Sequence, residues 1–327
     1  MADLPTGSEP KSYTPEQIRK GLLLSTITYG IWGTLPIYFV LMAPAGPLEI
    51  VMARVLFSLV FCALLLPIMK LTTPFWQVLK NKRAMLMLSA AALVIGVNWF
   101  MYVMASTSGH TIDASLGYFI NPLMSVTLGV VFLKERLRPA QWVAIGLSAI
   151  AVLIMSLMFG QIPWIGLTLA VSFAVYSMLK NMMGESIPPV VSLSLETLVL
   201  GPIALVFVLV MYAQGTLTMF NHGVSHFWLL ASTGVMTAVP LIIFARSAQL
   251  LPLTAMGMIQ YLGPTIQFFV ALYVMHDEIG PDKWIGLSII WVALIIFTVD
   301  AVRASRTSRA SAATDPETGA IAVVKAD

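Results

Sequence analysis

Apolar runs separated by short polar segments make up most of the chain between residues 21 and 302. A membrane-spanning helix needs roughly 20 apolar residues. On that measure the sequence divides into ten runs, at about 21–40, 47–69, 84–106, 112–133, 139–158, 163–180, 191–212, 227–246, 253–275 and 284–302. No connection between them is longer than about 14 residues. The pattern predicts an all-α polytopic membrane protein with ten transmembrane helices, and it leaves no room for a soluble catalytic domain.

Composition agrees with a membrane location. Hydrophobic residues make up 58% of the 327 residues, charged residues make up 10%, and the mean hydropathy is +0.89. These values are far from those of a soluble globular protein. Residues 1–20 are polar and proline-rich and carry no cleavage signal, so we expect no removable signal peptide. The single cysteine, Cys62, is expected to be a small buried hydrophobe, and the tail 303–327 is predicted to be disordered.

Lysine and arginine are distributed very unequally between the two sides of the membrane. Sixteen of them fall on one side, Lys283 falls on the other, and Arg54 lies inside a run. Basic residues near short loops collect on the cytoplasmic side. The sequence therefore predicts a multi-pass protein of the cell inner (cytoplasmic) membrane with both termini in the cytoplasm. The net charge of +3 is dispersed between the runs, so nucleic acid is not an expected partner.

An internal repeat with an offset of 142 residues relates the two halves of the chain. Four pairs coincide at this offset: Pro122 with Pro264, Glu135 with Asp277, Pro139 with Pro281, and Trp142 with Trp284. Each half, 21–158 and 163–302, then contains five helices, and an odd number makes the second half run through the membrane in the opposite direction. Inverted repeats of this kind are typical of secondary transporters. Shared hydrophobic composition is the alternative explanation.

Several segments resemble a known family. They are DASLGYFINPLMSVTLGVVFLKERL followed by PAQW, GPLEIVMARVLFSLVF, NWFMYVMAS, and PLTAMGMIQYLGPTIQFFVALYVMHDE. Together they resemble the EamA-type domain of the drug/metabolite transporter superfamily, and within it the RarD group, from about Gly21 to Asp300. The resemblance implies a ten-helix, exporter-like fold with cytoplasmic termini. It also implies a cargo among amino acids, drugs, sugars, nucleotide sugars and other metabolites, and the RarD group is associated with chloramphenicol sensitivity.

Prolines placed at mid-membrane depth direct attention to two predicted helices. Pro122 lies roughly 15 Å into the fourth helix and Pro264 roughly 16 Å into the ninth, entered from opposite sides. A proline inside a helix frees the carbonyl four residues earlier, and a free carbonyl in lipid is costly. Polar positions share these helix faces, and we predict that they line a substrate cavity: Tyr118, Asn121, Ser125, Gln260 and Gln267. Alternatively, these side chains only satisfy the backbone or bind neighbouring helices.

Other helices offer further candidates for the cavity wall. Asn98 and Tyr102 share one face of the third helix, with Trp99 beside them, and Trp32 lies in the first helix near Tyr29. Tyr38, near the end of the first helix, is predicted to be an interfacial anchor instead.

Two charged residues lie deeper in the membrane than helix ends normally allow. Arg54 in the second helix and Glu196 in the seventh are equivalent in the repeat and are predicted to lie near opposite membrane faces. Intramembrane charges usually face the protein interior and find partners, so both are candidate gate or coupling residues. The alternative is a purely structural anchor. Glu49 is poorly placed on the helix to pair with Arg54.

These features favour secondary transport, in the direction of export, of a small metabolite or drug by alternating access at a midplane cavity. The alternatives are an intramembrane enzyme and a non-transporting scaffold that retained the fold. An enzyme is not expected because no cluster of catalytic groups lies within the runs. His222 and His226 have helical metal spacing but lie in a predicted loop, so we expect neither metal nor other cofactor. The expected partners are the small-molecule substrate and the lipid bilayer, and the sequence leaves homo-oligomerisation open.

Overall fold

The computed structural model describes residues 14–133, 139–159, 162–183, 187–251 and 259–314. Its regular structure in these ranges is helical. The helices are α1 (Pro15–Val40), α2 (Pro47–Ile68), α3 (Thr72–Lys80), α4 (Lys82–Thr107), α5 (Thr111–Leu133), α6 (Pro139–Phe159), α7 (Trp164–Met183), α8 (Pro189–Ala213), α9 (Gly223–Ala231), α10 (Thr233–Leu250), α11 (Leu262–Tyr273) and α12 (Pro281–Thr314).

Local sequence signals explain where several helices begin. Proline occupies the first helical position of α1, α2 and α8, where its missing N–H costs no hydrogen bond. Thr14 and Gln17 form a capping box at the start of α1, with distances of 3.2 Å and 2.8 Å. The side chain of Asn81 accepts from the Arg83 and Ala84 amides, both over 3.1 Å, and so caps α4.

Many of these helices are suited to a lipid environment. Within the described residues, six are long and apolar enough to cross a membrane: Glu16–Val40, Pro47–Ile68, Lys82–Thr107, Pro189–Ala213, Gly223–Phe244 and Lys283–Asp300. Three shorter apolar helices accompany them, at Pro139–Ile154, Trp164–Lys180 and Leu262–Tyr273. Large apolar side chains such as Ile68 and Leu86 remain exposed on helix surfaces. The prediction of an all-α, multi-pass membrane protein is confirmed.

Three segments differ from the sequence prediction. The predicted loop 70–83 contains α3, because Phe75, Val78 and Leu79 recur at helical spacing and pack against a small core around Leu88. The predicted tail is helical as far as Thr314, through a stretch rich in the strong helix formers alanine and arginine. The run 253–275 is not one helix over its described part, since α11 begins only at Leu262.

The described residues fall into two compact units. The first contains the chain up to Ser125 together with Trp164–Ile279, and the second contains Val126–Pro163 together with the residues from Gly280 onward. Each unit combines parts of both predicted sequence halves, 21–158 and 163–302. In the first unit α1 packs against α10 and α11, α2 against α8 and α10, and α4 against α7 and α8; in the second, α6 packs against α12.

Glycines allow some helices of the first unit to approach closely. A Cβ atom on Gly117 of α5 would lie 2.5 Å from the carbonyl oxygen of Gly166 in α7. A Cβ atom on Gly234 of α10 would lie 2.4 Å from the Phe57 carbonyl oxygen in α2, and one on Gly33 of α1 would lie 2.6 Å from Ile266 in α11. Small residues at such crossings let helix backbones meet in a membrane.

Candidate functional site

A proline inside α1 creates the acceptor around which a group of polar side chains assembles. Pro36 has no N–H, so the carbonyl of Trp32, four residues earlier, loses its usual helical donor. The Tyr102 hydroxyl of α4 donates to this carbonyl over 3.3 Å, and Nε2 of Gln267 in α11 donates to it over 3.3 Å. Nε2 of Gln267 also lies 2.8 Å from the Tyr102 hydroxyl. The freed carbonyl is thus satisfied by side chains from two other helices.

A second set of hydrogen bonds joins α4, α5 and α7. The Tyr118 hydroxyl donates to Oδ1 of Asn98 over 3.1 Å. Nδ2 of Asn98 donates to the Leu169 carbonyl over 3.1 Å and to Oγ of Ser172 over 2.9 Å. The rings of Tyr102 and Tyr118 meet edge to face with centroids 5.5 Å apart. This ring contact connects the second set of hydrogen bonds to the first.

Arg54 is buried beside these aromatic rings. Its side chain on α2 is 8% exposed, its Nε donates to Oγ1 of Thr237 on α10 over 2.9 Å, and its guanidinium carbon lies 4.3 Å from the centroid of the Trp99 ring. This is cation–π geometry. Tyr38, Tyr102 and Tyr118 are the ionisable groups that interact electrostatically with it. A narrow crevice, without space for a water molecule, borders Arg54 between α1 and α10.

We call these seven residues the central cluster, to which Trp32 contributes its main-chain carbonyl and the others contribute their side chains: Trp32, Arg54, Asn98, Trp99, Tyr102, Tyr118 and Gln267. They come from five helices of the first compact unit, and their contacts combine aromatic surfaces with hydrogen-bonding groups and one cation. Two of their buried polar atoms, Arg54 Nη1 and Gln267 Oε1, have no hydrogen-bond partner among the described residues. Buried polar groups are normally paired, so the cluster retains capacity for a polar ligand.

The other predicted cavity residues stand apart from these hydrogen bonds. Asn121 is 9% exposed, and its Oδ1 has no partner among the described residues. Gln260 is partly buried in the turn that precedes α11. The side chain of Ser125 lies outside the described residues, as does that of Pro122, whose backbone belongs to α5.

Pro264 does not interrupt a helix as the sequence predicts. It lies in the first turn of α11, where a missing N–H leaves no carbonyl unpaired. A turn at Gln260 and Tyr261 lies directly before α11.

Glu196 is buried and forms a separate ion pair with the partly exposed Lys180. Its Oε1 accepts from Nζ of Lys180 over 2.7 Å and from Oγ of Ser192 over 2.9 Å, and its Oε2 accepts from the Tyr176 hydroxyl over 3.2 Å. Nζ of Lys180 also contacts the Ser192 hydroxyl. Arg54 takes no part in these bonds. Glu196 is thus a fully partnered carboxylate between α7 and α8.

Two further carboxylates fix segments near helix ends. Glu49 is fully buried and accepts from the amides of Thr218 and Met219 over 2.9 Å and 2.7 Å, which holds the segment between α8 and α9. It is not bonded to Arg54, as the helical spacing predicts. Oδ2 of Asp277 accepts from the Thr111 and Ile112 amides over 2.7 Å and 3.2 Å and caps α5.

Sequence reasoning missed several contributors to these sites, among them Pro36, Tyr38, Lys180 and Thr237. Pro36 carries the same signal as Pro122, a proline inside an apolar run. Tyr38 is not simply an anchor at the membrane surface, because its hydroxyl lies 2.6 Å from the Ser232 hydroxyl and its side chain lines the crevice beside Arg54. Thr237 is the one polar residue of the apolar stretch 234–245 within α10 and gives no sequence signal.

The fold and the central cluster define a helical membrane protein with a buried polar and aromatic site. The EamA-like transporter family matches residues 19–157. Protein RarD of Streptomyces exfoliatus is 44% identical over 295 residues, covering 89% of this chain and 92% of that protein. Uncharacterized transporter YojE of Bacillus subtilis (strain 168) is 36% identical over 297 residues, covering 90% and 98%. The chain belongs to the RarD group of the EamA-like transporter family.

A solved crystal structure shares the fold. It aligns with a TM-score of 0.56 at 14% sequence identity and covers 86% of this chain and 98% of that one. The resemblance inferred from the sequence segments is confirmed, and the chain is a membrane transporter.

Proposed function

We propose that this protein is a secondary transporter that exports a small metabolite or drug by alternating access. The observation that carries the proposal is the central cluster, which places hydrogen-bonding groups and one cation against aromatic walls inside an otherwise apolar helical protein. Its residues come from both sequence halves, with Trp32 and Tyr102 from the first and Gln267 from the second. A site shared by two halves can change its exposure when the halves move against each other.

The positions at which helices begin support two inverted repeats of five helices. α2 and α8 begin at Pro47 and Pro189, and α6 and α12 begin at Pro139 and Pro281, so both pairs are 142 residues apart. This is the offset found in the sequence. We propose the corresponding ten-helix arrangement in the cytoplasmic membrane, with both termini on the cytoplasmic side as the lysine and arginine distribution indicates.

The turn that precedes α11 supports a site near the middle of the membrane. The turn at Gln260 and Tyr261 precedes α11, and Gln267 lies two helical turns further on. Transporter sites are commonly built at discontinuous helices, because irregular backbone within a membrane is tolerated where it lines a cavity. The turn and the central cluster are therefore both consistent with a substrate site near the middle of the membrane.

Polar contacts near helix ends are candidates for gates. In the proposed topology, the bonds of Glu49 to Thr218 and of Asp277 to Thr111 lie towards the outer side. The Lys180–Glu196 pair lies towards the cytoplasm. Alternating access requires contacts on one side to open while those on the other side close. We propose that these bonds exchange partners during the transport cycle.

Transport by purified protein in sealed vesicles tests the proposal. We expect flux of a cognate solute without ATP from a broad panel of metabolites and drugs that includes chloramphenicol. The variant Gln267→Leu should lose this flux while remaining folded, since leucine has a similar volume but lacks the amide oxygen and nitrogen. Gln214→Leu, at an exposed position beyond α8, is the matched control. Absence of flux for every solute with folded protein would contradict the proposal, and dissipation of an imposed proton gradient tests coupling.

A further inference from the structure

The guanidinium of Arg54 is the least satisfied polar group of the central cluster. A guanidinium has five N–H donors, and the recorded hydrogen bond of Arg54 uses Nε. Nη1 is buried without a partner among the described residues. We propose that Arg54 is the anion-binding residue of the transport site, and that the transported solute is a small monocarboxylate with an apolar or aromatic body. This inference rests on the proposed function.

The positive charge of Arg54 has no ionised counterpart among the described side chains that surround it. The ionisable groups interacting with it are the hydroxyls of Tyr38, Tyr102 and Tyr118, which are neutral near pH 7. The buried carboxylates are engaged elsewhere, because Glu49 binds Thr218 and Met219 and Glu196 binds Lys180. A buried charge without a partner is costly. An anionic solute would remove that cost while it is bound.

The single cation favours a carboxylate over a phosphate. One guanidinium neutralises one negative charge, whereas a phosphate monoester carries up to two near neutral pH. Nη1 is an unpaired donor and Nε is bonded to Thr237, so the guanidinium is held in one orientation. The crevice beside Arg54 must widen during the transport cycle to admit the solute. Hydrogen bonds between an ionised donor and an ionised acceptor are roughly twice as strong as neutral ones.

The surroundings of Arg54 indicate what the rest of the solute resembles. The Trp99 ring lies 4.3 Å and the Phe39 ring 6.0 Å from the guanidinium carbon. These rings offer apolar surface beside the charge. Gln267 Oε1 is a buried acceptor without a partner among the described residues, within the same cluster. A hydroxyl or N–H group on the solute would satisfy it.

Binding to purified protein tests the charge preference without requiring the physiological solute. Benzoate, benzamide and phenyl phosphate share one ring and differ in the attached group. We expect benzoate to raise the thermal unfolding temperature of the wild-type protein more than either of the others. Arg54→Gln should weaken benzoate binding about tenfold or more, and Arg54→Lys should weaken it less, because lysine keeps the charge but loses the planar fork. Lys82→Gln, which removes an exposed cation, should behave as wild type.

Three results would overturn the inference: equal stabilisation by benzoate and benzamide, stronger stabilisation by phenyl phosphate, or undiminished benzoate binding in a folded Arg54→Gln variant. Vesicle flux with pairs of monocarboxylates and their primary amides separates this inference from the proposed function. If the protein carries only neutral solutes, the proposed transport is supported and the proposed recognition of a carboxylate is contradicted. If no solute is carried but benzoate still binds and its binding depends on Arg54, the proposed transport is contradicted and the anion site is supported.

Discussion

The hydroxyl of Ser115 on α5 donates a hydrogen bond to the main-chain carbonyl of Pro264 on α11 over 2.9 Å. Ser115 is fully buried, and Pro264 lies in the first turn of α11. The bond therefore ties the helix that carries Tyr118 to the helix that carries Gln267. It fixes the relative position of two central-cluster side chains without touching either of them.

Removing this hydroxyl should loosen the contact between α5 and α11. For Ser115→Ala we expect a loss of about 0.5–1.5 kcal/mol in the free energy of unfolding, the usual range for one buried hydrogen bond. Denaturant-induced unfolding of the purified protein in detergent micelles measures this change. Ser288→Ala is the control, because that exposed hydroxyl donates to the Trp284 carbonyl of its own helix, over 2.9 Å. Equal losses in the two variants would contradict a specific role for the Ser115 bond.

A methyl group at Gly117 should separate α5 from α7. The new Cβ atom would lie 2.5 Å from the carbonyl oxygen of Gly166 and 2.8 Å from its Cα. Because these are backbone atoms, they can move only if one helix shifts. We expect Gly117→Ala to lower the free energy of unfolding by about 1–3 kcal/mol, measured by thermal unfolding.

Gly146 of α6 offers the matched control, since nothing lies within 4 Å of a Cβ atom built there. Gly146→Ala should leave stability unchanged or raise it by up to about 1 kcal/mol, owing to the better helix propensity of alanine. If both glycine variants destabilise equally, the close crossing of α5 and α7 is not the cause.

Replacing one partner of the Lys180–Glu196 ion pair should lower the free energy of unfolding more than replacing both partners. Lys180→Met leaves a carboxylate that is 2% exposed without its cation, and we expect a loss of about 3 kcal/mol. Lys180→Met combined with Glu196→Gln leaves no net charge and should recover part of that loss. A double-mutant cycle on the free energy of unfolding measures the coupling. Additive losses would show that the two groups do not stabilise each other.

The sequence predicts helices well where apolar runs end at prolines or capping residues. The run 47–69 corresponds to α2 at Pro47–Ile68, and the run 139–158 corresponds to α6 at Pro139–Phe159. Helical spacing also placed Asn98 and Tyr102 on one face, and both take part in the central cluster. These predictions depend on the order of residues within one helix.

Contacts between distant helices could not be read from the sequence in the same way. Arg54 and Thr237 are 183 positions apart, and nothing in the apolar segment around Thr237 marks it as a partner. In the sequence, Lys180 is counted only as one of the basic residues on the predicted cytoplasmic side. In the structure, its ammonium group reaches the buried Glu196. The turn at Gln260 and Tyr261 lies in sequence as apolar as its surroundings, so hydropathy predicts a continuous helix there.

Replacing Pro36 should separate stability from transport. In Pro36→Ala the new N–H can bond the Trp32 carbonyl inside α1, so Tyr102 and Gln267 lose their shared acceptor. Removal of a proline from a helix interior restores a hydrogen bond and relieves a clash, changes worth about 3 kcal/mol in a helix. We therefore expect the free energy of unfolding to stay constant or rise. Solute flux in vesicles should fall about tenfold, because a loss of about 1.4 kcal/mol in the free energy of solute binding corresponds to that factor.

The matched control is Pro202→Ala, because Pro202 also lies inside a helix, α8, but its side chain is exposed and lies outside the central cluster. It should gain helical stability in the same way and retain wild-type flux. Lower flux in both variants would mean that transport depends on helix flexibility in general. Wild-type flux in Pro36→Ala would mean that the freed Trp32 carbonyl has no part in the site. Only a selective loss in Pro36→Ala assigns that carbonyl, and the two side chains bound to it, to the transport site.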